Sequence, residues 1–249
     1  MQELLILTFI FFLAGFVQGV TGFGAGLLAM PLLAFYLDIK VAVPLCTLNG
    51  LVITAFLSVM LKNHIDFKKI MPLAIGCLPG VVVGVGLLKN VNENVLAALL
   101  GLLISGYAGY RLVGKIRPRP LHQAWAYLAG FGTGAISGAF SAGGPPTIIY
   151  TTLTGWSKDE IKATLSGFFF ITGVTTVIGH VLSGLTTFLV LRSFSVTIWG
   201  VAFGVYLGSY LSRRFSTEGY LNLILSCLFF LGLFMFVSAF GLGSIFDHK

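Results

Sequence analysis

Charge is the scarcest property of this 249-residue sequence: 9% of its residues are Asp, Glu, Lys or Arg, against about 25% in an ordinary soluble domain. With 57% hydrophobic residues and a mean hydropathy of +0.98, the chain is read as an integral membrane protein, all-α and polytopic, with no room for a separate soluble domain. Negative charge is missing from mid-span. Glu3, Asp38, Asp66, Glu93, Asp159, Glu160, Glu218 and Asp247 all fall at expected helix ends or loops. A buried carboxylate is the usual element of a proton relay and a common ligand in cation pathways, so a cation pump is disfavoured. An anion would meet no acidic side chain inside.

Cysteine and histidine are also sparse. Cys46, Cys77 and Cys227 sit singly in apolar runs without a CxxC, which indicates neither a disulfide framework nor a zinc site. His64, His122 and His248 lie in loops or the tail; there is no HExxH and no metal-holding cluster, so no cofactor, metal or enzymatic activity is expected. The net charge of +7 comes from Lys and Arg gathered in short loops between apolar runs. That pattern sets membrane orientation and gives no reason to invoke nucleic acid. No Lys or Arg precedes the first apolar run and no convincing small-residue cleavage site follows it, so residues 3–20 are expected to remain as structure.

Glycine is abundant, and its placement organises the chain. In GAISGAFSAGGPPTIIY, residues 134–150, an apolar helix pattern runs into Ser141, Gly143, Gly144, Pro145 and Pro146 and then resumes. Glycines 143 and 144 are expected to unwind there, and the prolines to open a new helix. About 119 residues earlier GFVQGVTGFGAGLLAMPLL, residues 15–33, places Gly19 on Gly138 and Gly24 on Gly143. Paired interruptions in two halves of a hydrophobic chain point to a transporter's binding site.

The expected elements are a helix over 3–20, a break at 21–26, a short helix to 37, and spans at 41–61, 70–88 and 95–113. A basic linker, 114–122, divides a first repeat (1–113) from a second (123–249), which runs 124–140, break, short helix to 153, then spans near 163–182, 194–211 and 220–241. If each broken helix is a hairpin, each half crosses an odd number of times and the two repeats are inverted. With the linker inside, residues 62, 68, 69, 111, 115, 117, 119, 158, 162, 213 and 214 are cytoplasmic, 11 of the 15 basic residues. If each broken helix crosses once as a whole the split is 9 to 6, so the positive-inside rule prefers inversion.

The candidate binding residues cluster at the breaks: Gln18, Thr21, Gly22, Gly24 and Gly26 in the first half, and Ser137, Ser141, Gly143, Gly144, Pro145 and Thr147 in the second, with Thr47 and Asn49 closing the site. Neutral hydroxyl and amide groups, with the backbone N–H groups of a restarted helix, suit the oxygens of a small oxyanion. The same hydroxyls also commonly bond to their own helix or its neighbour. His180 is the one ionisable side chain deep in a span, a candidate for proton coupling or a plain helix contact. Glycine pairs four apart, 15/19, 80/84, 130/134/138 and 200/204/208, let helices approach closely, within the protomer or across a homodimer.

The pattern Gly15-x-x-x-Gly19-x-x-Gly22-Phe23-Gly24-x-Gly26 with Pro31, then Gly138-x-x-Ser141-x-Gly143-Gly144-Pro145-Pro146 and Lys162-Ala163-Thr164-Leu165, resembles the TauE/SafE sulfite exporter family over essentially the whole chain. Tyr150 stands where many relatives carry a proline matching Pro31, which places the sequence in a GGPP-type subgroup. The resemblance implies transport of small sulfur-containing anions, such as sulfite, thiosulfate or sulfoacetate, across the bacterial inner membrane. An anion channel and a membrane assembly factor are the alternatives.

Overall fold

The computed structural model describes residues 2–114, 121–154, 156, 158–212 and 217–239, and side chains at all of these except 158–159 and 217–224. Most of the basic linker, Arg213, Arg214 and the expected end of the last span at 241 lie outside them. The chain forms ten α-helices among the described residues: α1 (Gln2–Thr21), α2 (Ala25–Leu33), α3 (Ile39–Met60), α4 (Phe67–Asn90), α5 (Glu93–Val113), α6 (Ala124–Phe140), α7 (Gly144–Leu153), α8 (Lys158–Leu182), α9 (Phe188–Leu211) and α10 (Thr217–Val237). Six of the described helices, α1, α3, α4, α5, α8 and α9, are long and apolar enough to cross a membrane. Large apolar side chains face outward, among them Val82, Phe188 and Trp199, as hydrocarbon would allow and water would not in such number.

Helix starts follow local chemistry. Asp66 caps α4 by accepting from the Lys68 N–H at 2.9 Å, and Asn92 caps α5 by accepting from Asn94 at 2.8 Å. Thr187 does the same for α9 through Val190, so this helix begins at Phe188 rather than near 194 and Arg192 lies inside it, not in a loop. Helix α8 likewise begins at Lys158 rather than 163, and Glu160 in its first turn suits the positive end of a helix. The short second helix of the first half ends at Leu33, four residues before the expected 37.

Two glycine seams fix the packing. A Cβ on Gly76, Gly80 or Gly84 of α4 would land on the carbonyls of Tyr127, Phe131 or Ala135 of α6, and one on Gly138 would sit 2.8 Å from the Val81 oxygen. The α1–α9 seam is its counterpart: a Cβ on Gly15 would lie 2.6 Å from the Val201 oxygen and one on Gly200 2.6 Å from the Thr8 oxygen, while Gly204 and Gly208 face Phe12 and Phe16. In both seams residue numbers rise together, so the paired helices run in the same direction. Helices α5 and α10 cross antiparallel, Gly101 against Gly232 and Phe236, Gly232 against Ser105. The glycine pairs singled out in the sequence are thus used inside the protomer.

Burial is correspondingly apolar. Among the described residues the buried polar set is Ser, Thr, Asn, Gln and His180, with no Asp, Glu, Lys or Arg.

Substitution should separate seam glycines from idle ones. Gly204→Val should lower the Tm of the detergent-purified protein by at least about 4 °C, given a cost of roughly 1–3 kcal/mol or more for overpacking. Gly86→Ala, whose Cβ would meet nothing within 4 Å, should shift it by no more than about 2 °C. Equal effects in a thermal melt would refute the seam assignment.

Candidate functional site

Both helix breaks are backbone events. At the first, Gly22 and Gly24 take φ of 87° and 97°, left-handed values open to glycine. At the second the left-handed residue is Ser141, φ 52°, while Gly143 has φ −70° and Gly144 is already helical. Gly143 thus lies in the break, between the end of α6 and the start of α7, as expected; the expectation that Gly144 unwinds with it is corrected. Gly143 is small because a Cβ there would strike the Thr133 carbonyl oxygen of α6. A serine in this conformation carries strain of order 1–3 kcal/mol, a burden that functional sites tolerate.

The two breaks touch. A Cβ on Gly26 would land on the Ser141 carbonyl oxygen. Beside this contact lies a cavity of about 80 Å³ lined by Gln18 of α1, Gly24 to Leu27 of the first break, Ser137 of α6 and Ser141 to Gly144 of the second. The remaining wall comes from α3 (Cys46, Thr47, Gly50, Leu51, Thr54) and α8 (Phe169, Thr172, Gly173, Thr176). No lining residue carries a charge. About 10–15 Å³ by this measure holds one water, so the space suits a small polyatomic ion or several waters.

Donors surround this space. Gln18 turns its Oε1 to accept from the Ala25 N–H at 3.3 Å, and the next intrahelical bond, Leu28 N–H to Gly24 O, is 3.0 Å. Helix geometry leaves the Gly26 and Leu27 amides without intrahelical partners. The Thr176 hydroxyl is buried with no hydrogen-bond partner. Thr47 and Thr54 bond back to Val43 and Gly50 in their own helix, at 2.9 and 3.0 Å.

The structure brings Gln18, Gly24, Gly26, Thr47, Ser137, Ser141, Gly143 and Gly144 to one cavity and leaves the other candidates off it. Asn49 donates to the Leu45 carbonyl and to Thr197 of α9, both at 3.0 Å, and so pins α3 to α9. Thr147 bonds Thr133 at 2.6 Å, tying α7 to α6. Thr21 is engaged with the Val17 and Phe23 carbonyls at 2.8 and 2.6 Å. Gly22 lies against the Lys162 side chain, and Pro145 is buried in the first turn of α7.

His180 is also off the cavity. Its Nε2 lies 2.9 Å from the Gly138 oxygen; a carbonyl only accepts, so Nε2 carries the proton and donates. Lys162 Nζ donates to the Gly19 oxygen at 3.3 Å. Gly19 and Gly138 are matching residues of the two breaks, so α8 supplies a donor to the last turn of each broken helix.

Cys46, Gly50, Thr54, Thr172, Gly173 and Thr176 were not among the sequence candidates. A signal existed: an offset of 122 sets Lys40 on Lys162 and Thr54 on Thr176, whereas the breaks themselves match at an offset of 119.

A multi-helix membrane protein with a small uncharged cavity between two interrupted helices has the form of a transporter. Residues 7–235 match the family described as sulfite exporter TauE/SafE, and the chain belongs to that family. It is similar to a protein of Cupriavidus necator described as a probable sulfite/organosulfonate exporter TauE, with 33% identity over 165 residues, 62% of this chain and 63% of that relative's length. No solved structure matches.

The Asn49–Thr197 pin should behave as a coupled pair. Thr197→Val alone, which strands a buried amide, should cost about 1–3 kcal/mol, and Asn49→Leu with Thr197→Val should recover part of that loss. Purely additive losses in unfolding experiments would show that no coupling exists.

Proposed function

We propose that the chain carries small sulfur-containing anions, such as sulfite, thiosulfate or sulfoacetate, out of the cell across the inner membrane, binding them between the starts of α2 and α7. The observation that carries this reading is the uncharged cavity of about 80 Å³ where the two breaks meet. Each helix start has the equivalent of roughly half a positive charge; at α2 the Gly26 and Leu27 amides are open to an occupant, whereas at the start of α7 only Gly144 carries an N–H, Pro145 and Pro146 having none. Gln18, Ser137, Ser141 and Thr176 would share its oxygens, with the glycines of both breaks giving close approach. The similarity to an exporter of sulfite or organosulfonate supports the substrate class.

Helix directions support two inverted repeats, 1–113 and 123–249, joined by the 114–122 linker. Cys77 Sγ of α4 lies 3.4 Å from the Thr172 hydroxyl of α8, and Gly179 packs on Val81 and Val85, so α4 and α8 run together. Leu51 of α3 packs on Gly173, and Ile65, just beyond α3, on Gly167; α3 and α8 therefore run oppositely. Turning the first repeat over satisfies these directions and both glycine seams. It gathers Lys62, Lys68, Lys69, Arg111 and Lys162 at one end, the cytoplasmic side by the positive-inside rule. Transport then proceeds by alternating access, one group of helices rocking against the other. In a cell negative inside, each exported unit of negative charge gains about 2.3 kcal/mol per 100 mV, enough for export by facilitated diffusion.

Gly50 gives the test. It lines the cavity, and a Cβ there meets nothing within 4 Å, so Gly50→Leu can begin a side chain at the cavity wall without a backbone collision at Cβ. In proteoliposomes the wild type should show saturable counterflow of sulfite, thiosulfate or sulfoacetate, and Gly50→Leu should reduce it at least about tenfold, the effect of roughly 1.4 kcal/mol, with its Tm preserved. Flux without counterflow would indicate a channel. No flux of any of these anions would overturn the reading.

A further inference from the structure

On the other side of the first break lies a second, smaller pocket of about 20 Å³, lined by Val17, Thr21, Phe23, Gly24, Leu27, Tyr107, Arg111, Leu225 and Leu228. Gly24 and Leu27 also line the central cavity, so one thin wall of backbone separates the two spaces. Seven of the nine lining residues are apolar or have their hydroxyl already engaged, as Thr21 has. The other two are Tyr107 and Arg111, one helical turn apart on α5.

Each carries one unsatisfied atom, Arg111 on a side chain that is itself only half-buried. The Tyr107 hydroxyl and the Arg111 Nε are buried without a hydrogen-bond partner, and Tyr107 as a whole is 6% exposed. No acidic residue lines the pocket. A guanidinium nitrogen and a phenol withdrawn from water and left unpaired are costly, and the cost disappears if an anion fills the gap. Four residues of helix separate them by about 6 Å along the axis, so two oxygens of one sulfonate, sulfite or phosphate group could reach both. The space now takes one water-sized group, such as a single oxygen of that ion.

We propose that Arg111 and Tyr107 form a second oxyanion subsite, separated from the central cavity by the Gly24–Leu27 wall. Its occupant is either the transported sulfur anion, waiting at the edge of the first break, or the phosphate of a lipid headgroup. Only the first of these rests on the carrier reading; the subsite itself does not.

The test uses the full chain carrying Gly50→Leu, chosen to obstruct the central cavity. Equilibrium binding of radiolabelled sulfite is measured in detergent, together with phospholipid phosphate retained per chain, before and after adding Arg111→Gln, Arg111→Lys or Tyr107→Phe. If the occupant is the sulfur anion, the Gly50→Leu protein binds sulfite, Arg111→Gln weakens binding at least about tenfold, and Arg111→Lys weakens it less, since lysine keeps the charge but loses the fork. If the occupant is lipid, Arg111→Gln releases about one phosphate per chain and leaves sulfite binding unchanged. Neither quantity changing in Arg111→Gln would overturn the subsite. Should that variant not fold, Tyr107→Phe, which keeps the ring, decides in the same way: unchanged sulfite affinity and unchanged phosphate refute the proposal. Wild-type protein that shows no counterflow while Gly50→Leu still binds sulfite through Arg111 would sink the carrier reading and leave the subsite standing.

Discussion

Direct backbone contact at glycine is the constraint on which the rest of this structure depends. In a bilayer, lipid tails are as apolar as leucine, so helices gain little from hiding apolar side chains from one another; they associate through van der Waals packing and close approach. The α4–α6 and α1–α9 seams bring carbonyl oxygens to within contact of glycine Cα atoms on the facing helix, a distance at which Cα–H···O contacts add to dispersion. Each seam joins a broken helix to an unbroken one from the other half of the chain. The interrupted helices are therefore held by intact neighbours along their length, and their ends can be irregular without loosening the whole.

That support matters because a broken helix exposes carbonyls in its last turn and amides in the first turn of the next, at a depth where water is scarce. The two ends are treated differently. The carbonyls of Gly19 and Gly138 are satisfied from α8, by Lys162 and His180. At the first break the amide end is met only in part, by Gln18 through Ala25, while the amides that follow face a cavity. Acceptors are neutralised and donors are kept available, an asymmetry that favours an anion over a cation. Helix α8 also contributes Thr172 and Thr176 to the cavity wall, so the helix that closes both carbonyl ends also shapes the central cavity.

Much of this was written in the sequence, because membrane helices and glycine breaks follow strong local rules. The ends of α1, α5 and α6 fell within two residues of expectation, since an apolar run stopped by Gly, Pro or a basic cluster leaves little choice. The breaks were legible for the same reason. Their mechanics were not: Ser141 rather than a glycine adopts the left-handed turn, and Gly26 and Gly143 are small because another backbone passes beside them. Such reasons are tertiary and leave no local trace. Asn49 and Thr147 illustrate the same limit. Their chemistry suits an oxyanion, but Thr197 and Thr133, 148 and 14 residues away, claim it first.

For the carrier proposed above, an uncharged central cavity also favours turnover. A lysine or arginine against the bound ion would deepen the site, and in a medium of low dielectric a paired charge is released slowly. Neutral donors and helix ends each offer a fraction of a charge, spread over several atoms. The full positive charges, Lys162 and Arg111, instead stand beside the first break, outside the central cavity's lining. From there they can raise the local concentration of an anion without becoming its trap. Lys162 is anchored on the Gly19 carbonyl and Gly22 rests on its stem, so this charge is tied to the first break, and in the proposed alternating-access cycle a movement of that break would carry the charge with it.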